Sequence, residues 1–178
     1  MIHDVEKILF NEADIASCVE EIGAKITKDY EGKEITLVCI LKGSMIFTAD
    51  LARAIKIPAA LDFMVASSYG TGTSSSGNVR IIKDLDHSIE GKHVIVVEDI
   101  IDSGVTLNYL LKNLSDRNPA SLKLCTLLSK PERRIIDVDV DYIGKIVPDY
   151  FLVGYGLDYA EKYRNLPFIG ILKPSIYK

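Results

Sequence analysis

The sequence predicts an α/β fold, a mostly parallel, twisted sheet flanked by helices. Three observations lead there. Continuous apolar runs such as Ile35–Leu41 and Val94–Val97 read as strands covered on both faces. Helical patterns alternate with these runs, which implies a parallel sheet with right-handed crossovers. The runs at 35–41 and 94–97 lead into small polar loops, where open α/β sheets bind ligands.

The 178 residues fit one domain, and no internal repeat or linker divides them. The formal net charge of -4 argues against a general nucleic-acid binder. It leaves open phosphate-bearing small molecules, which need only a local positive pocket. Cys18, Cys39 and Cys125 show no CxxC spacing and read as buried thiols in a reducing compartment. His3, His87 and His93 are dispersed, so neither a zinc site nor a Cys/His nucleophile is indicated. The N-terminus lacks the pattern of a signal peptide, and no apolar run reaches membrane-spanning length. A cytoplasmic protein without membrane partners is expected.

The elements follow in order. Ile15, Val19, Ile22 and Ile26 mark one face of a helix over 12–30, with Gly32 as its stop. Residues 35–41 form a strand, Lys42-Gly43-Ser44 breaks it, and a helix over 45–55 packs back. Strands are expected at 60–67, 79–83 and 93–98. Between the first two lies Tyr69–Asn78 (YGTGTSSSGN), which composition alone makes a solvated hairpin loop. A helix over 104–116 precedes Pro119 and a strand at 121–128. Strands near 142–146, 151–155 and 168–172 complete the chain.

The most informative stretch is Val94–Leu107 (VIVVEDIIDSGVTL). A buried strand delivers Glu98 and Asp99 to its end, where adjacent acids could accept from ribose hydroxyls or hold a divalent metal. Asp102 follows as a candidate general base. Ser103, Gly104, Val105 and Thr106 open a helix whose free N–H groups and dipole suit an anion. A single Asp-Ser-Gly after a strand is an ordinary turn; the whole run is far more specific. Read alone, Lys42, Lys130 and Arg164 are surface charges, and Phe151 is core filling.

The run VIVVEDIIDSGVTL resembles the phosphoribosyl-pyrophosphate (PRPP) motif of type I phosphoribosyltransferases, in the hypoxanthine-guanine branch. Matching segments extend from about residue 35 to the C-terminus. The resemblance implies a small hood subdomain over the sheet and a flexible catalytic loop at Ser68-Tyr69 and the residues after it. Glu98 and Asp99 would hold ribose, Asp102 would serve the purine N7 proton, and Ser103 to Thr106 would cradle the 5′-phosphate. Lys42, Gly43 and Arg164 would bind pyrophosphate, with a peptide before the Lys that can be cis in the family. Lys130 would read the 6-oxo group, Phe151 would stack on the base, and Leu152 would meet its edge through the backbone. Asp158 would lie near metal and pyrophosphate, sharing Mg²⁺ with Glu98 and Asp99. The implied protein is a Mg²⁺-dependent purine-salvage transferase. It would use PRPP with hypoxanthine or guanine, release pyrophosphate, and form a homodimer or homotetramer. A PRPP-sensing regulator and a transferase for xanthine are the competing readings; fold alone does not separate them.

Overall fold

The computed structural model describes residues 1–68 and 79–178. Its elements in chain order are β1 (Val5–Phe10), α1 (Glu12–Asp29), β2 (Ile35–Leu41), α2 (Met45–Ala54), β3 (Ala59–Ser68) and β4 (Val79–Lys83). There follow β5 (His93–Ile101), α3 (Val105–Ser115), β6 (Ser121–Ser129), β7 (Tyr142–Ile146), β8 (Leu152–Val153), β9 (Ile169–Leu172) and α4 (Pro174–Tyr177). The main sheet has the order β4-β3-β2-β5-β6-β7. Its pairings are parallel except for β4, which lies antiparallel on β3 at one edge.

Side chains alternate across this sheet. Leu37, Ile95 and Val97 join the core under α1 and α2, while Val38, Val94 and Val96 join the core under α3. The apolar run at 35–41 is continuous because both faces are covered. Helix α1 buries Ile15, Cys18, Val19, Ile22 and Ile26. It starts at a capping box in which the Asn11 and Asp14 side chains each accept from the other's N–H at 2.9 Å. Such an arrangement contributes about 1 kcal/mol. Helix α3 buries Leu107, Leu110 and Leu114, spaced for one face.

β1, β9 and β8 form a separate antiparallel sheet, which is the hood. Two expectations change here. The sequence reading contains no strand at Val5–Phe10, because its central residues Glu6, Lys7 and Ile8 are exposed and carry no alternation. The strand expected near 151–155 is reduced to Leu152–Val153. Its neighbour Gly154 has a left-handed φ of 98°, and Tyr155 also turns to positive φ, so the chain leaves the sheet there. Cys18, Cys39 and Cys125 are free and buried, as their settings imply. Among the described residues no helix is long and apolar enough to cross a membrane.

Candidate active site

β5 runs further than expected, through Ile101 rather than to residue 98. Its pairing with β6 continues past Glu98↔Thr126 to Ile101↔Ser129, so Glu98 and Asp99 lie inside the strand. Glu98 accepts from the Asp99 N–H at 3.1 Å, and Asp99 accepts from the Ile100 N–H at 2.6 Å. Burial pushes the Glu98 carboxyl well above the ordinary carboxylate range, and the adjacent negative Asp99 adds to the rise. Burial also raises Asp99, opposed by its hydrogen bonds and by Arg164. Donors or a cation placed here would relieve buried negative charge.

Beyond β5 the chain turns through Ser103 and Gly104 into α3. Gly104 has φ 81°, and a Cβ there would meet the Ile136 carbonyl oxygen at 2.5 Å. Only glycine fits this turn. Ser103 O accepts from the N–H groups of Ile135 and Ile136 at 2.9 and 3.1 Å, which fixes the loop from behind. The Ser103 hydroxyl accepts from the Val105 N–H at 3.4 Å. The N-cap residue Gly104 has no side chain to cap α3, so among the described residues only Ser103 hydrogen-bonds to its first turn from a side chain, an arrangement suited to cradling an anion.

Asp102 stands between strand and cradle, with Oδ1 2.7 Å from Arg133 Nε. It opens on a cavity of about 480 Å³, within the range of small-molecule sites. Asp99, Lys130, Asp149 and Asp158 line this cavity together with Phe151 and Tyr177; Glu98 does not. Lys130 is buried, and its ammonium donates to Tyr150 O at 2.6 Å and lies 3.4 Å from Asp149. Phe151 stacks on Tyr177 with ring centroids 4.7 Å apart, and Tyr159 meets its edge. Leu152 is buried in β8 opposite Ile171. A larger cleft of about 1230 Å³ between α1 and α2 shares no lining residue with this cavity.

The loop after β2 completes the site. The peptide between Leu41 and Lys42 is cis. Ser44 does not cap α2 with its side chain; its buried hydroxyl donates to Ile40 O at 2.7 Å. A Cβ on Gly43 would sit 1.8 Å from Asp99 Oδ2, and one on Gly156 would sit 2.0 Å from Gly43 O. Arg164 donates to Gly156 O at 2.8 Å and pairs with Asp158 at 2.9 Å, while its buried Nε has no hydrogen-bond partner among the described residues. Lys42 pairs with Glu161 at 3.0 Å on the surface. Both expected pyrophosphate cations thus rest on hood carboxylates.

Ser68 ends β3, and Tyr69 with the expected flexible loop lies outside the described residues. Glu98, Asp99 and Asp158 form no closed metal cage: among the described residues no three His, Cys, Asp or Glu side chains are gathered to hold an ion. Asp99 and Asp158 do line one cavity. That donor set fits Mg²⁺, which prefers few protein carboxylates plus substrate oxygens and water. Arg133, Asp149 and Tyr177 are site residues that the sequence reading missed. A charged residue after a strand has no periodic signature, and Tyr177 comes from the last four residues of the chain.

Comparison with known proteins agrees with this geometry. Residues 6–160 match the phosphoribosyl transferase domain family. The chain is 51% identical over 178 residues to a hypoxanthine-guanine phosphoribosyltransferase of Bacillus subtilis, covering all of this chain and 99% of that one. It is 52% identical to the Streptococcus thermophilus protein of the same name, covering 98% and 97%. A crystal structure of a hypoxanthine phosphoribosyltransferase from Staphylococcus aureus superposes with a TM-score of 0.97 at 50% identity, covering 100% and 97%. On this match over nearly the whole chain, in sequence and in fold, this chain belongs to the type I phosphoribosyltransferase family, in its hypoxanthine-guanine branch.

Proposed function

We propose that this chain transfers the 5-phosphoribosyl group from PRPP to a 6-oxopurine in purine salvage. Hypoxanthine or guanine would give IMP or GMP and pyrophosphate. The observation that carries this reading is the convergence of Asp99 and Asp102 with Lys130 and Phe151 around one cavity, with α3 beginning three residues after Asp102.

The α3 cradle holds the 5′-phosphate by backbone N–H groups, and the acids of β5 accept from the ribose hydroxyls. Lys130 donates to the purine 6-oxo oxygen. An amino group there would present a donor to a donor, and such a mismatch discriminates strongly. Phe151 offers one ring face to the base while Tyr177 backs the other. As the C1′–pyrophosphate bond breaks and N9 bonds to C1′, positive charge builds on the ribose. The N7 proton passes to Asp102 as general base. Arg164 and the Lys42 loop take the pyrophosphate after exchanging their hood carboxylates for phosphate oxygens. Asp99 and Asp158, without Glu98, would hold Mg²⁺, which would supply positive charge to the leaving group. We further infer a cytoplasmic enzyme that works as a homodimer or homotetramer.

A panel of purine bases with PRPP and Mg²⁺, read by pyrophosphate release, tests the proposal. Turnover is expected with hypoxanthine or guanine and not with adenine. Preference for xanthine would reassign the substrate. No pyrophosphate release with any base would favour a PRPP-sensing regulator.

A further inference from the structure

Arg133 closes a short 3-10 turn, Pro131–Arg133, directly after Lys130, and its N–H bonds to Lys130 O at 3.2 Å. Its Nε lies 2.7 Å from Asp102 Oδ1, and its Nη1 lies 3.4 and 3.3 Å from the two Asp149 oxygens. Asp149 in turn lies 3.4 Å from the Lys130 ammonium. Four charges of alternating sign, Asp102, Arg133, Asp149 and Lys130, therefore run along one wall of the cavity.

Two other acids lining the cavity, Asp99 and Asp158, are oriented from the backbone. Asp99 accepts from the Ile100 N–H, and Asp158 accepts from the Glu161 N–H at 2.9 Å. Among the described residues no N–H or hydroxyl donates a well-aligned hydrogen bond to Asp102 Oδ1, which is buried; the contact to Arg133 is its ion pair. Purine N7 and the 6-oxo oxygen lie side by side on one edge of the base. The group meeting N7 and the group meeting O6 must therefore keep a fixed separation. A planar guanidinium, which can face two carboxylates at once, is suited to hold it.

We propose that Arg133 is a positioning residue for base transfer: it orients Asp102 and ties it, through Asp149, to Lys130. The inference rests on the reading of Asp102 as acceptor of the N7 proton. Arg133 holds Oδ1 and leaves the second carboxylate oxygen to face the base. Both partners are about half exposed, at 51% and 44%, so the ion pair contributes little to overall stability and its loss should read out in catalysis.

The test compares Arg133→Gln, Arg133→Lys, Asp102→Asn and the double variant Arg133→Gln/Asp102→Asn in the full chain. With hypoxanthine, Arg133→Gln should lower kcat about tenfold to 100-fold, the scale of a misplaced reacting group. Its Kd for PRPP with Mg²⁺, by calorimetry, should stay within about twofold. Arg133→Lys, which keeps the charge and loses the fork, should recover part of kcat. In the Asp102→Asn background, Arg133→Gln should cost nothing more, because residues acting as one unit are not additive. Unchanged kcat in Arg133→Gln, full recovery by Lys, equal losses in both backgrounds, or a parallel loss of PRPP affinity would each overturn the proposal. Full turnover in Asp102→Asn would instead sink the underlying reading of Asp102, so the two failures are distinguishable.

Discussion

The main sheet and the hood approach the same cavity with opposite resources. Floor strands β2 and β5 lie in a core whose central residues, Leu37, Val38 and Val94 to Val97, are fully buried. The hood has a small cluster of its own around Val153, Tyr163, Leu166, Phe168 and Leu172. Leu152, Tyr155, Leu157 and Ile169 join the hood to the main core, and polar contacts such as Tyr155 to Asp50 and Lys42 to Glu161 add to the join. The floor carries Asp99, Asp102 and the start of α3, while the hood carries Phe151 and the carboxylates paired with Lys42 and Arg164. On the proposed reading the difference is a division of labour: the floor fixes sugar and phosphate and meets the purine edge through Asp102 and Lys130, while the hood supplies the ring that stacks on the base.

Substitutions on either side test that division. The largest effect belongs to the floor. Asp102→Asn should lower kcat by about 100-fold or more, the range of general-base catalysis, with PRPP affinity nearly unchanged. Equal loss in kcat and in PRPP binding, measured by steady-state kinetics and calorimetry, would break the assignment. Next is Gly43→Ala, where the added methyl meets Asp99. Overpacking of this kind costs about 1–3 kcal/mol, visible in denaturant unfolding. Phe151→Ala, on the hood, should act on the base alone. Loss of a stacking platform is worth about 1–3 kcal/mol, so KM for hypoxanthine should rise while KM for PRPP holds. A rise in both would erase the distinction between hood and floor.

The smallest effect is on stability. The Glu98 carboxyl is raised by burial in the folded chain, so its contribution favours folding at low pH and is lost as pH rises through that elevated value. At neutral pH it therefore opposes folding. Glu98→Gln should raise the melting temperature of the ligand-free protein at pH 7.5, by about 2–4 °C per kcal/mol relieved. The gain should shrink toward pH 4, and a gain that grows on acidification would reverse the sign assigned here.

The floor was legible because its chemistry is local. Buried parallel strands write themselves as β-branched runs, and the acids and the cradle of β5–α3 lie within nine consecutive residues, Glu98 to Thr106. The end of β5 was misjudged because two acids look like a strand terminus, whereas pairing with β6 carries the backbone onward. The hood was opaque because β1 is mostly exposed and β8 has two residues. Neither offers a periodicity to count. Arg133 and Asp149 acquire meaning through contacts between residues 31 to 47 positions away from Asp102, which no pattern along the chain reveals.

Asp99, Gly43 and Gly156 are layered so closely that neither glycine has room for one more carbon. Gly43 lies against the Asp99 carboxylate on one side, and its carbonyl oxygen lies against Gly156 on the other. A methyl on either glycine would act as a wedge between floor and hood, so these two residues set how closely the two layers can approach.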